Sequence, residues 1–312
     1  MTDSSLSRRQ TLQLLAGLPA LAATAFAAKP EQQHMFLALN SVLLNGRVKW
    51  PEFAQLAART GFPGTDVMLG PAMKAGAEQT NALLKLLHLR PAVLDFPVEF
   101  RKDDPTFEAS LAKLDEAARF AAAIHCPRMM TWLMSSSDTP KSELRETYKQ
   151  RFTKSAQILA KHNVRLAVEF LGPVELRKKF KYEFIWKMNE MLAFVKECGE
   201  NVGLLLDAWH WHWAGGTTED IVAAGRNRIV HVHYDDAPDV PPEKAHDNQR
   251  LLPGEGKINL IGFLRALQQI GYCDALSVEV FGRLNDKSPE EAAKMGLDSA
   301  LSVFRKAGVP QG

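Results

Sequence analysis

The stretch "GLLLDAWHWHWAGG", residues 203–216, is an apolar run that ends on a carboxylate, Asp207. Two histidines, His210 and His212, follow it among three tryptophans. Buried strands of parallel sheets read as continuous apolar runs, and functional side chains gather where such strands end. The stretch therefore predicts a buried parallel strand with a functional group at its carboxyl end.

Similar apolar runs recur along the chain and alternate with amphipathic segments in which apolar residues are spaced three and four apart. The predicted strands are 34–39, 64–68, 89–95, 127–132, 164–170, 202–207, 229–234 and 276–281. The predicted helices include 51–60, 77–88, 107–123, 142–162, 183–198, 217–225 and 257–270. This alternation is typical of a parallel sheet in an α/β protein.

Eight strands favour a single-domain (β/α)8 TIM barrel over residues 29–312, a length close to the usual size of that fold. The alternative is an open doubly wound sheet, which uses fewer strands and often carries a Gly-x-Gly-x-x-Gly turn after its first strand. No such turn follows 34–39. The polar segment 235–256, with four prolines, is long enough to predict a functional loop.

Residues 1–28 differ in kind from the rest of the chain. Arg8 and Arg9 precede a short apolar stretch, 12–23, and an Ala25-Phe26-Ala27 ending. This pattern predicts a twin-arginine export signal, a periplasmic or otherwise exported protein, and no stable membrane insertion once the signal is removed. An amino-terminal helix of the fold or a membrane anchor is the alternative.

The overall charge excludes some classes of partner. With 38 basic and 36 acidic residues, the formal net charge is +2, which supplies no global attraction for nucleic acid or an anionic membrane surface. A small or neutral ligand is the better expectation. The three cysteines are widely separated and form no Cys-x-x-Cys pair, so they predict no disulfide framework.

Acidic residues lie at or near the carboxyl ends of three predicted strands that are close in barrel order: Glu169 in the fifth, Asp207 in the sixth and Glu279 in the eighth. In the seventh, "IVHVHYDD", His231 and His233 alternate with valines and share one face, with His233 nearer the carboxyl end. Three carboxylates that close repel one another unless a cation lies among them. The pattern predicts one divalent metal ion held by these acids and His233.

The donor set is mostly oxygen with one nitrogen, which favours Mn²⁺, Mg²⁺ or Co²⁺, with Zn²⁺ as an alternative. Single members of the set also have structural interpretations. A strand-end glutamate is often solvated, and His231 is either a hydrogen-bonded core residue or a partner of a metal ligand. Trp209, Trp211 and Trp213 are typical packing residues. The combination on successive strands carries the prediction.

Four segments carry a family resemblance: "RLAVEFLGP", "VGLLLDAWHWHWAGG", "IVHVHYDDAP" and "LLPGEGKINLIGFLRALQQIGYCDALSVEVFG". On these, residues 34–308 resemble the sugar phosphate isomerase/epimerase group of the xylose isomerase-like TIM barrels. The resemblance implies metal ligation by Glu169, Asp207, His233 and Glu279. It also implies that the two glutamates form the acid/base pair and that His210 lies near the substrate.

Arg283 and Trp209 are further candidates for substrate contact. Glu99 and Arg101, after the third strand, are candidates for the opposite rim of the site, with a solvated surface pair as the alternative. Arg250 and Lys257 are the candidates for a phosphate site, and no dedicated phosphate cluster is recognisable. The absence of that cluster, together with the predicted export, favours an unphosphorylated sugar or keto-sugar as substrate.

The expected activity is a metal-dependent sugar isomerase or epimerase that moves a proton next to a carbonyl through a metal-stabilised enediolate. A keto-glycoside lyase or dehydratase on the same site is the nearest alternative. An endonuclease-like phosphodiesterase and a non-catalytic sugar-binding protein are further alternatives. The expected partner is a small carbohydrate, and the resemblance also implies a homodimer.

Overall fold

A computed structural model describes residues 34–312, so the predicted export signal lies outside the described residues. The exported location therefore stays a prediction. Eight parallel strands close into a barrel in chain order, and the first strand pairs with both the second and the last. They are β1 Phe36–Leu39, β2 Gly64–Val67, β3 Arg90–Asp95, β4 Arg128–Leu133, β5 Arg165–Phe170, β6 Val202–Asp207, β7 Ile229–Tyr234 and β8 Ala275–Val278. The predicted (β/α)8 barrel is confirmed.

Helices lie between the strands along the chain and pack against the outside of the barrel. They are α1 Glu52–Thr60, α2 Leu69–Ala75, α3 Ala77–Leu86, α4 Asp104–Leu111, α5 Leu114–Ala123, α6 Lys141–Ala160, α7 Val174–Arg177, α8 Met188–Cys198, α9 Ala208–Trp213, α10 Thr218–Ala224, α11 Leu260–Gln269 and α12 Pro289–Ala307. No helix among residues 34–312 is both long and apolar enough to cross a bilayer.

Two predicted helices differ from the observed ones. The helix predicted over 107–123 is divided into α4 and α5 at Ala112 and Lys113, where neither a proline nor a glycine explains the break. The helix predicted over 183–198 begins only at Met188. The chain is extended before it, because Tyr182–Glu183 pairs in antiparallel fashion with Ser136–Ser137 and the Phe184 N–H donates to the Ser135 carbonyl oxygen at 2.7 Å.

Strand alternation separates two kinds of buried side chain. Outward-facing residues such as Val168, Leu206 and Val232 belong to the main core between barrel and helices. Inward-facing residues fill the barrel interior, where Ala167 and Leu205 form part of a smaller cluster. Because side chains alternate along each strand, the last inward-facing positions lie at the carboxyl end of the barrel.

The long segment after β7 is organised by one carboxylate. Asp236 accepts hydrogen bonds from the backbone N–H groups of Gly254 (3.0 Å), Gly256 (2.9 Å) and Ile258 (2.9 Å). A Cβ atom at Gly256 would lie 2.2 Å from the Ala237 carbonyl oxygen, so only glycine fits there. The predicted functional loop is thereby held against the end of the barrel.

Candidate metal centre

Four potential ligands from neighbouring elements converge at the carboxyl end of the barrel. Glu169 lies on β5, Asp207 ends β6, His233 lies on β7, and Glu279 follows β8 directly. One donor atom from each lies within 4.8 Å of the others, and all four residues are buried. The strand register accounts for this, since Asp207 and Ser277 are both direct partners of His233, and Glu279 shares the inward face of Ser277.

His233 lies in the middle of the three carboxylates. Its Nδ1 atom is 3.0 Å from Glu279 Oε2, 3.2 Å from Glu169 Oε1 and 3.7 Å from Asp207 Oδ2. Burial disfavours a charge on the ring, but the Glu279 charge and hydrogen bonding to the carboxylates raise the pKa of His233 well above its usual value. The three carboxylates therefore favour a positive charge at the point between them where His233 Nδ1 lies.

Arg250 completes the cluster, and its role could not be foreseen from its place in a polar loop. It is 2% exposed, and its Nη1 atom donates to Asp207 Oδ2 (2.6 Å), Asp235 Oδ2 (2.6 Å) and Glu279 Oε2 (2.9 Å). A guanidinium engaged in this way offers no phosphate site. The other phosphate candidate, Lys257, pairs with the exposed Asp239 at 2.8 Å.

The acids around Arg250 have different ionisation. Burial alone would raise the pKa of Asp207, but the charges of Arg250 and of nearby histidines lower it well below its usual value. Burial raises the pKa of Asp235 well above normal, and the charge of Asp207 adds to this effect. The negative charge of Asp207 is therefore favoured, whereas burial favours the uncharged form of Asp235.

His210 is positioned by the helix that Asp207 begins. Asp207 is the N-cap of α9 and accepts the His210 backbone N–H at 2.9 Å, which explains the three-residue spacing between them. His210 Nε2 lies 3.0 Å from Arg250 Nη2, which also donates to Asp247 Oδ1 at 3.0 Å. The imidazole therefore faces the same site as the metal-ligand candidates.

His231 is a core residue, as one of its two interpretations predicted, but within the described part of the chain it lacks the hydrogen bond expected of it. It is fully buried one inward position below His233, with the two rings perpendicular and 5.3 Å apart. Neither ring nitrogen has a hydrogen-bond partner among the described residues, and burial lowers its pKa well below normal. His231 is a neutral packing residue beneath the site.

A cavity of about 540 Å³ opens beside the cluster. Its lining includes Glu169, His210, His233, Arg250 and Glu279 on one side, with Asp95, Arg101, Trp132, Phe96, Met130 and Met134 among the other lining residues. Of the pair predicted for the opposite rim, the structure brings Arg101 into the cavity lining and leaves Glu99 out of it. The volume suits a ligand of sugar size.

Two predicted substrate contacts are not brought to the cavity. Arg283 pairs with Glu255 at 2.9 Å and is absent from the cavity lining. Trp209 is fully buried, and its ring lies 5.8 Å from the Arg250 guanidinium carbon. Trp209 therefore packs behind Arg250 and does not line the space where a substrate would bind.

The buried carboxyl group of Asp66, on β2, makes the stability of the metal-free protein depend on pH. Burial raises its pKa from 3.8 to about 7, and Ser277 Oγ donates to it at 2.6 Å. Because the folded-state pKa is the raised one, this group's stability contribution is complete below pH 3.8 and is lost as the pH rises through about 7.

We expect Asp66→Asn, in chelator, to remove this loss, which amounts to at most about 1.4 kcal/mol per pH unit. Urea denaturation at a series of pH values from 5 to 8 measures it. The variant should gain stability relative to wild type as the pH rises. Parallel profiles for the two proteins would contradict the assignment.

Comparisons with known proteins agree with this architecture. The family model described as xylose isomerase-like TIM barrel matches residues 54–303. The inosose isomerase of Halalkalibacterium halodurans is 28% identical over 223 residues, which cover 70% of this chain and 77% of that protein. These matches confirm the predicted resemblance at the level of the barrel family.

Two solved structures share the fold. A xylose isomerase domain protein from Alicyclobacillus acidocaldarius is 28% identical with a TM-score of 0.81, covering 88% of this chain and 99% of that one. The IolI protein, whose crystal structure is described as having a binding zinc atom, is 21% identical with a TM-score of 0.75, over 88% of this chain and 99% of its own.

Proposed function

The chain belongs to the xylose isomerase-like TIM barrel family, and we propose that it is a divalent-metal-dependent isomerase or epimerase acting on an unphosphorylated keto-sugar or related ketone-bearing polyol. One observation carries the proposal. Four ligand-type atoms from Glu169, Asp207, His233 and Glu279 lie within 4.8 Å of one another at the end of the barrel where the cavity opens.

The residues present fit a divalent cation. Three buried carboxylates and one imidazole are a hard, oxygen-rich donor set, which favours Mn²⁺, Mg²⁺ or Co²⁺, and Zn²⁺ also accepts such ligands. In the metal-free protein, His233 and Arg250 provide the positive charge that holds these acids together. A cation bound here would replace the proton on His233, so we expect its affinity to rise with pH.

The side chains around the cluster suit proton transfer next to a carbonyl. A divalent cation, when bound, polarises a ketone and its neighbouring hydroxyl and acidifies the hydrogen between them. Glu169 and Glu279 approach His233 from β5 and β8, on either side of it in the barrel order. One glutamate can remove a proton from the substrate and the other can return it. His210 lines the cavity beside these acids.

Support for the substrate class comes from two sources. A relative that is 28% identical over 70% of this chain is an inosose isomerase. The two candidates for phosphate binding, Arg250 and Lys257, are both engaged with carboxylates. Both facts favour an uncharged polyhydroxylated ketone.

The deciding experiment follows hydrogen exchange in deuterated water. The protein is loaded separately with Mn²⁺, Mg²⁺, Co²⁺ and Zn²⁺, incubated with inosose, unphosphorylated ketoses and keto-glycosides, and examined by NMR at the carbon next to the carbonyl. Inversion there identifies an epimerase, and migration of the carbonyl identifies an isomerase. An unsaturated product would replace the proposal with a lyase. Binding without exchange would indicate a sugar-binding protein.

A further inference from the structure

Asp95 is an acid of the cavity that the proposed proton transfer does not use. It ends β3, and the barrel order places β3 diametrically opposite β7, which carries His233. Asp95 is the strand partner of Met130, and both residues line the cavity. Its side chain is exposed there, and the described residues give it no hydrogen bond or ion pair. A carboxylate therefore faces the candidate metal centre across the space for a substrate.

The charges around the cavity argue against an anionic ligand. Carboxylates are contributed by Asp95, Glu169, Asp207, Asp235, Asp247 and Glu279, and guanidiniums by Arg101 and Arg250. Burial raises the pKa of Asp235 well above normal, so its charge is not counted. The other five carboxylates against two guanidiniums and one divalent ion leave one negative charge uncompensated. A substrate phosphate or carboxylate would add to that excess in a partly enclosed site of reduced dielectric constant.

Arg101 does not remove this objection. Its guanidinium donates to the Trp132 carbonyl oxygen and lies over two aromatic rings, 4.2 Å from the centre of Phe100 and 3.9 Å from that of Trp132. It is therefore fixed against the wall of the cavity. Trp132 itself is 42% exposed and is the strand partner of Glu169, so it presents a broad apolar surface on the same inward side.

We infer that Asp95 is a specificity-determining residue that accepts hydrogen bonds from hydroxyls at the end of the substrate remote from the metal, and that it excludes substrates carrying a phosphate or carboxylate there. The substrate class is thereby a neutral polyol ketone that spans the cavity from the metal centre to β3. This inference rests on the proposed function, because the metal centre sets which end of the substrate reaches Asp95.

Binding measurements separate this role from a structural one. Calorimetry on the metal-loaded protein compares D-fructose with D-fructose 6-phosphate, whose phosphate lies at the end remote from the carbonyl. Inosose is compared in the same way with a deoxy-inosose lacking the hydroxyl across the ring from the carbonyl. In the wild-type protein we expect D-fructose to bind about tenfold more tightly than D-fructose 6-phosphate, because the phosphate is repelled by Asp95. We expect inosose to bind about tenfold more tightly than the deoxy-inosose, because it makes one more charge-assisted hydrogen bond.

Asp95→Asn should reduce both ratios about tenfold, because the shape is kept and the charge is lost. Its affinity for the metal, measured without any sugar, should be unchanged. The matched control is Glu99→Gln, which removes an acid from the same segment but outside the cavity lining, and which should keep both ratios.

Two failures are distinguishable. If no ketone probe binds the metal-loaded wild-type protein, the proposed function is wrong and the inference is overturned with it. If ketones bind and exchange deuterium, but D-fructose 6-phosphate binds as tightly as D-fructose or the ratios are the same in Asp95→Asn and wild type, the inference alone is overturned.

Discussion

Replacing either Glu169 or Glu279 with glutamine is expected to lower the rate of deuterium exchange by about 10²–10⁴-fold, the usual contribution of a positioned acid or base. Both carboxylates lie beside His233 Nδ1, at 3.2 and 3.0 Å, so each is close to the point where the donors converge. Glutamine keeps the shape of the side chain but cannot exchange a proton near neutral pH. The measurement is NMR exchange with the metal-loaded variants, after metal content has been determined.

Two controls make this result specific. Glu200→Gln changes an acid whose side chain is 87% exposed and paired only loosely with Arg228, and it should leave exchange unaltered. Titrating metal into each site variant shows whether a lower rate reflects lost metal or a lost proton carrier. Full exchange by both metal-replete glutamine variants would remove these residues from the proposed mechanism.

Replacing Arg250 with alanine is expected to destabilise the metal-free protein by about 3–5 kcal/mol, because it leaves buried acids without their cation. Its Nη1 atom lies within 2.9 Å of oxygens from Asp207, Asp235 and Glu279. Urea denaturation in the presence of a chelator measures the loss. Adding Mn²⁺ should restore part of it, because a cation bound among the acids stabilises only the folded state.

The matched control is Arg145→Ala on the protein surface. Arg145 makes a bidentate pair with Glu197, both contacts at 2.8 Å, but this pair is partly exposed to solvent. Its removal should cost less than about 1 kcal/mol, and metal should not change that cost. Equal losses for the two arginines would contradict the role of Arg250 as the buried counter-ion of these acids. No effect of Mn²⁺ on the stability of Arg250→Ala would contradict ion binding by the cluster.

Much of the barrel could be predicted because a buried strand can be recognised from its own residues. The predicted β6 and β7 agree with the observed Val202–Asp207 and Ile229–Tyr234 at both ends. A strand covered by helices on one side and by the barrel interior on the other is apolar over most of its length, and this pattern needs no knowledge of distant residues. The start of the helix predicted from residue 183 was wrong because Tyr182–Glu183 pairs with Ser136–Ser137, a segment distant in the sequence.

The candidate ligand set could be located because three of its members lie at or near strand ends and the fourth, His233, follows from strand alternation. Parallel strands of one barrel bring their carboxyl ends to one rim, so acids at three such ends and a histidine in the strand between two of them meet there. Arg283 shows the limit of this reasoning. It follows Glu279 closely in the chain, yet its side chain turns to Glu255, which belongs to a different loop.

The order of hydrophobic runs thus determined by itself that the chain closes into a parallel barrel and that four donors reach one rim, because both depend on periodicities of a few residues. Only the tertiary structure decided that Arg250 enters the cluster and that Asp95 faces it from across the cavity. The loop path of Arg250 depends on backbone hydrogen bonds to Asp236, and the position of Asp95 depends on barrel closure. The path of the Arg250 loop leaves no local pattern in the sequence. Asp95 ends the predicted strand 89–95 and so carries the same signal as Asp207, but only the closed barrel places it opposite the cluster.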